Sequence, residues 1–130
     1  MAHATTPIAV LLVEDEVLIS ELVADALSEQ GFAVHEAATG DQALRYIKSG
    51  ADVDIMFTDI NLPGEVDGAE LARRVRAMRP DIPIVYASGR YSASGLGGMV
   101  SRSMFVSKPY DPVEVGTLLA RLTESIASPH

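Results

Sequence analysis

The sequence predicts an α/β fold: a doubly wound, five-stranded parallel sheet in the order 2-1-3-4-5 with helices on both faces. Three observations predict it. Apolar runs of strand length recur along the chain, amphipathic helical stretches separate them, and 130 residues suit one domain. Strand–helix alternation of this kind implies parallel strands joined by right-handed crossovers, because each helix must return the chain to the same end of the sheet. That strand order opens a crevice outside the carboxyl ends of the first and third strands, where the winding direction reverses.

The strand candidates are Ile8 to Val13, Ala33 to His35, Ile55 to Thr58, Ile84 to Ala87 and Met104 to Ser107. Four are rich in Val, Ile, Phe or Tyr and nearly free of charge, the pattern of strands covered on both faces. His35 makes the second run the most polar, which suits an edge. The first helix is predicted from Ile19, Leu22, Val23, Ala26 and Leu27, a single apolar stripe opposite Glu21, Asp25, Ser28 and Glu29, with Gly31 placed to end it. Ala43, Leu44 and Ile47 repeat the pattern up to Gly50. Leu71, Val75 and Met78 repeat it again and stop before Pro80.

The final helix is expected from Asp111 and Pro112, a cap followed by proline in the first turn, with Val115, Leu118, Leu119, Leu122 and Ile126 as its stripe. The stretch from Tyr91 to Arg102 breaks the rhythm. It should hold the fourth helix, yet it contains Gly95, Gly97 and Gly98 among serines. Each glycine costs a helix roughly 1 kcal/mol relative to alanine, so a short or mobile segment is expected there.

Composition narrows the function. The chain has no cysteine, which removes disulfides, thiolate metal sites and thiol catalysis. A net charge of −8 repels phosphate backbones, so nucleic acid is not expected as a partner. Neither a secretion signal nor a membrane-length apolar run is read from the sequence, and a cytoplasmic protein is expected. Arg73, Arg74, Arg76 and Arg79 form the one basic run, read as a solvated helix face. His3, His35 and His130 fall away from the predicted rim and receive no chemical role.

The chemistry gathers at strand ends. Glu14 and Asp15 follow the first strand, Asp59 closes the third, Ser88 follows the fourth and Lys108 the fifth. Taken singly each has an ordinary explanation: an exposed turn, a helix cap, or the loop residues Asn61-Leu62-Pro63-Gly64. Together, in order, they converge on one rim. Three carboxylates there repel, each pair by about 4 kcal/mol at ~4 Å and an effective dielectric near 20. They stay ionised only beside a cation, and Mg²⁺ suits a site of carboxylates, waters and a phosphate oxygen. Zinc is disfavoured because no Cys or His accompanies the acids. With metal and lysine present, Asp59 can attack a phosphorus atom in line while Ser88 donates to a phosphoryl oxygen.

From Ile8 to Ile126 the chain resembles the receiver domains of two-component signalling, which share a flavodoxin-like architecture. The motifs are Glu14-Asp15 after Val10-Leu11-Leu12-Val13, the Asp59-Ile60-Asn61-Leu62-Pro63-Gly64 loop, Ala87-Ser88-Gly89 and Lys108-Pro109-Tyr110. The resemblance implies that Asp59 is the phosphoacceptor. It implies Mg²⁺ held directly by Asp15 and Asp59, through water by Glu14, and by the Asn61 backbone carbonyl. Ser88 and Phe105 resemble the family's switch pair, and Lys108-Pro109 its cis peptide. Asn61 and Arg90 occupy positions that tune dephosphorylation.

Residues 83–91 are similar to the Pro-Phe-any-Phe-Ala-Thr-Gly-hydrophobic-Tyr signature of single-domain alphaproteobacterial receivers, departing at Ile84, Tyr86, Ser88 and Arg90. The resemblance implies a receiver domain over 8–127 between loose tails at 1–7 and 128–130. It implies a monomeric stand-alone regulator that a sensor histidine kinase or phosphotransfer protein phosphorylates. Output runs through a protein partner and the face of the fourth helix, fifth strand and fifth helix, with no enzymatic activity beyond its own phosphorylation and dephosphorylation. A phosphate sink or shuttle is the nearest alternative. An aspartate-nucleophile phosphohydrolase is less well matched, because Asn61 stands where such enzymes need a second acid, and a flavin site would be repelled by Glu14-Asp15.

Overall fold

The computed structural model describes residues 6–89 and 100–127, with side chains up to residue 124. Five strands, β1 (Ala9–Val13), β2 (Ala33–Ala37), β3 (Ile55–Asp59), β4 (Ile84–Ser88) and β5 (Ser103–Ser107), alternate with helices α1 (Val17–Glu29), α2 (Gly40–Lys48), α3 (Gly68–Met78) and α4 (Pro112–Ala127). The strands are all parallel in the order β2-β1-β3-β4-β5. The segment expected to form a fourth helix lies at 90–99, outside the described residues, so α4 is the helix that the sequence places fifth.

Alternation along the buried strands makes two cores. Leu11, Val13, Met56, Ile84 and Tyr86 face Leu44, Ile47, Leu71 and Val75 of α2 and α3. Val10, Leu12, Ile55, Phe57 and Val85 face Val23, Leu27, Val115 and Leu119 of α1 and α4. Each fully buried aliphatic side chain contributes about 1.5–3 kcal/mol, which fixes the helices to the two faces and the register between strands. Every residue of β3 and β4 is buried, whereas the edge strands β2 and β5 are only partly covered.

The helix ends have local causes. Gly31 adopts φ +98 just past α1, a conformation costly for any residue with a Cβ. Thr39 caps α2 by accepting from the Gln42 amide, while the Gln42 side chain accepts from the Ala38 amide. Asp67 caps α3 by accepting from the Glu70 amide.

The predicted stripe of α1 is rotated in the structure. Ser20, Val23, Ala24 and Leu27 are buried, and Leu22, expected inside, is 64% exposed. Ser20 wins the inner position because its hydroxyl donates to Glu36 on β2 at 2.6 Å, which satisfies a polar group under the helix. Leu22 lies about 200° around the helix from Ser20 and is turned outward. The basic run also divides. Arg73 and Arg74 pair with Glu70 on the surface, as a solvated face should. Arg76 instead donates to the carbonyls of Arg79 and Ser101, and Arg79 to those of Ile47 and Ala51, so both tie chain segments together.

Candidate functional site

The register brings the strand ends level. Val13 pairs with Thr58, Asp59 with Ala87, and Ser88 with Ser107. The residues at or just past these positions, Glu14, Asp59, Ser88 and Lys108, therefore share one rim at the crevice between β1 and β3. Backbone bonds hold that rim: Glu14 N–H donates to the Ala37 carbonyl, Ile60 N–H to Ala87, and Lys108 N–H to Ser88.

Carboxylate oxygens of Glu14, Asp15 and Asp59 lie within 4.8 Å of one another. Asp59, 5% exposed, has both oxygens engaged. Its Oδ2 accepts from Lys108 Nζ at 2.8 Å and its Oδ1 from the Asn61 amide at 3.1 Å. Glu14 is buried beside it and accepts from the Glu16 amide. Asp15 is exposed at the mouth.

The electrostatics follow from this packing. Burial raises the Glu14 carboxyl above its ordinary value, and the charges of Asp59 and Asp15 push the same way against the Glu16 amide and Lys108. Burial alone would lower Lys108, but the hydrogen bond and charge of Asp59, with Glu14 and Glu16, outweigh it and the net shift is upward. Tyr110 is pushed up to about 12 by burial and then by Glu14, Asp59 and Glu16. Three carboxylates against one ammonium leave an excess of negative charge, and every side-chain donor is a hard oxygen. That donor set fits Mg²⁺ and gives a soft or zinc-type ion no preferred ligand.

The other expected site residues are distributed around this cluster. Ser88 is buried at the end of β4. Phe105 on β5 is half-buried, pairs in register with Tyr86 and packs against the α2–α3 core. Asn61 is exposed beside Asp59, and Lys108-Pro109 is cis. Arg90 lies outside the described residues. Sequence reasoning missed two neighbours. Tyr110 sets its ring edge-on to Phe57, with centroids 5.4 Å apart. Gly68, at the start of α3, touches the backbone of Asp59 itself. The signal for that helix start was present in Asp67 followed three residues later by Glu70, a capping spacing.

Comparison with known proteins decides the family, since the family described as "response regulator receiver domain" matches residues 10–120. The chain belongs to the receiver family. The receiver domain is 34% identical to the sensor kinase CckA of Brucella abortus over 119 residues, 88% of this chain and 12% of that protein. It is 33% identical to the transcriptional regulatory protein CreB of Escherichia coli, over 87% of this chain and 51% of that one. The chain thus spans at most about half the length of these curated relatives. A receiver protein of Sinorhizobium medicae superposes with a TM-score of 0.85 at 30% identity, covering 92% of this chain and 96% of that one. The chemotaxis regulator CheY4 of Vibrio cholerae gives 0.81 at 28%, covering 90% and 99%. Receiver domains are signalling proteins of two-component systems that bind Mg²⁺ through an acidic pocket, and this one gathers such a pocket. Among the described residues no helix is long and apolar enough to cross a membrane.

Proposed function

We propose that this receiver domain accepts a phosphoryl group on Asp59 from a sensor histidine kinase or a phosphotransfer protein and signals to a protein partner as a monomeric, stand-alone regulator. The observation that carries the proposal is the Lys108–Asp59 contact of 2.8 Å inside a cluster of three carboxylates. An Asp59 carboxylate oxygen forms the new bond to phosphorus as the bond from phosphorus to the donor imidazole nitrogen breaks, and the imidazole leaves with the electron pair. Lys108 faces the developing negative charge, and Ser88 donates its hydroxyl to a phosphoryl oxygen. Asp15 and Asp59 would hold Mg²⁺ directly, Glu14 through water and Asn61 by its carbonyl, and the ion held there would supply positive charge to the phosphoryl oxygens.

Phe105 follows Ser88 when the site is charged, and Asn61 and Arg90 set the lifetime of the acyl phosphate. Val17, Leu18 and Leu22 on α1 and Val113 on α4 are exposed apolar side chains. Of these, Leu22 lines a groove with Ile19, Pro109 and Pro112 that reaches Lys108, which supports a protein as phosphoryl donor. The hydrolase alternative lacks a second acid at Asn61.

The test is incubation with acetyl phosphate and MgCl₂, read by intact mass. Wild type should gain one phosphoryl group, and Asp59→Asn or a chelator should abolish it. An adduct that persists in Asp59→Asn refutes the assignment.

A further inference from the structure

Gly68 opens α3 against the strand end that carries Asp59. A Cβ built on it falls 2.2 Å from the Asp59 carbonyl oxygen and 2.6 Å from the Ile60 Cα. Both are backbone atoms, so neither can swing aside as the tip of a flexible side chain would. The two segments are also bonded to each other. Gly68 N–H donates to the Ile60 carbonyl at 3.0 Å, and Ile60 N–H donates to Ala87 on β4 at 2.9 Å. On the other side α3 is held by the Asp67 cap and by Leu71 and Val75, which are fully buried. The helix therefore cannot back away without loosening its core.

We propose that Gly68 is a positioning residue of the acceptor site. Its missing side chain lets α3 begin against the Asp59 backbone and holds the Asp59 carboxylate 2.8 Å from Lys108 and within 4.8 Å of Glu14 and Asp15. The inference rests on the role proposed for Asp59. An alanine forces the helix start and the strand end apart by about 1 Å, and a misplacement of that size at a reacting group costs on the order of a hundredfold in rate. Loss of support behind a metal ligand weakens binding by about tenfold or more.

The test compares wild type, Gly68→Ala and Val75→Ala as full chains. Val75→Ala opens a cavity in the same helix and controls for lost stability alone. Each protein is titrated with MgCl₂ by calorimetry and phosphorylated with acetyl phosphate, after near-ultraviolet circular dichroism shows native packing. Where Gly68→Ala needs help to fold, the osmolyte trimethylamine N-oxide is added to all three. Gly68→Ala should bind Mg²⁺ about tenfold more weakly and react on the order of a hundredfold more slowly, while Val75→Ala stays near wild type in both. A folded Gly68→Ala that matches wild type overturns the proposal, and so does a Val75→Ala that loses as much. A wild type that neither binds Mg²⁺ nor gains a phosphoryl group overturns the acceptor assignment instead.

Discussion

Replacing Lys108 with methionine removes the ammonium and keeps most of the side-chain volume. Nζ lies 2.8 Å from Asp59 Oδ2, with the Lys108 side chain 26% exposed and that of Asp59 5%. Oxygens of the three carboxylates lie within 4.8 Å of one another, a separation at which each pair repels by about 3.5 kcal/mol for an effective dielectric near 20. With lysine present, one short attraction offsets most of the two repulsions that Asp59 feels. Without it a buried carboxylate is stranded. Removing one partner of a buried pair costs about 3–5 kcal/mol, and the partial exposure of Lys108 places this case near the lower end. Metal-free Lys108→Met should therefore lose about 3 kcal/mol in urea unfolding at neutral pH. Saturating MgCl₂ should restore most of that loss, because the dication neutralises the same carboxylates. It should also bind the variant more tightly than wild type, since ammonium and metal compete for one field. The assay is urea unfolding with and without MgCl₂. An equal loss in both conditions refutes the electrostatic account of the site.

Two further outcomes follow from the same geometry. Because burial raises the Glu14 carboxyl, the folded protein keeps that proton to higher pH than the unfolded chain does, so metal-free stability should fall as pH rises from the ordinary carboxylate value through the raised folded one. Glu14→Gln should flatten that part of the profile of melting temperature against pH, and an unchanged slope assigns the dependence to another group. On α1, Leu18 and Leu22 are 75% and 64% exposed. Leu18→Ser with Leu22→Ser should shift stability by only about 0.5 kcal/mol. The pair should leave phosphorylation by acetyl phosphate unchanged and slow transfer from a phosphorylated kinase; equal transfer rates move the docking surface elsewhere.

The fold makes this chemistry available because parallel strands all end on one side. Carboxyl termini of β1, β3 and β4, together with the loop after β5, bring acids and a lysine from distant parts of the chain to one edge. Rigid strands then hold a charge arrangement that water would otherwise disperse.

The sequence by itself determined the five strands, their order and the carboxylate–lysine cluster. Strand identity is a local property: unbroken Val, Ile and Phe runs such as Ile55 to Phe57 bury on both faces only in the middle of a sheet. Once the strands are parallel, Glu14, Asp15, Asp59 and Lys108 have nowhere to go but the same rim. Tertiary structure decided everything that depends on which distant surface approaches which. α1 carries more apolar residues than one face can bury, and the Ser20–Glu36 bond chose the face that left Leu18 and Leu22 in solvent. Arg76 and Arg79 read as surface charge until the carbonyls of Ser101 and Ala51 come within reach. Gly68 looks like any residue after a cap until the Asp59 carbonyl fills the space where its Cβ would be. Local periodicity encodes the conformation of a segment, but the distance of closest approach between two segments is set by the packing of all the others.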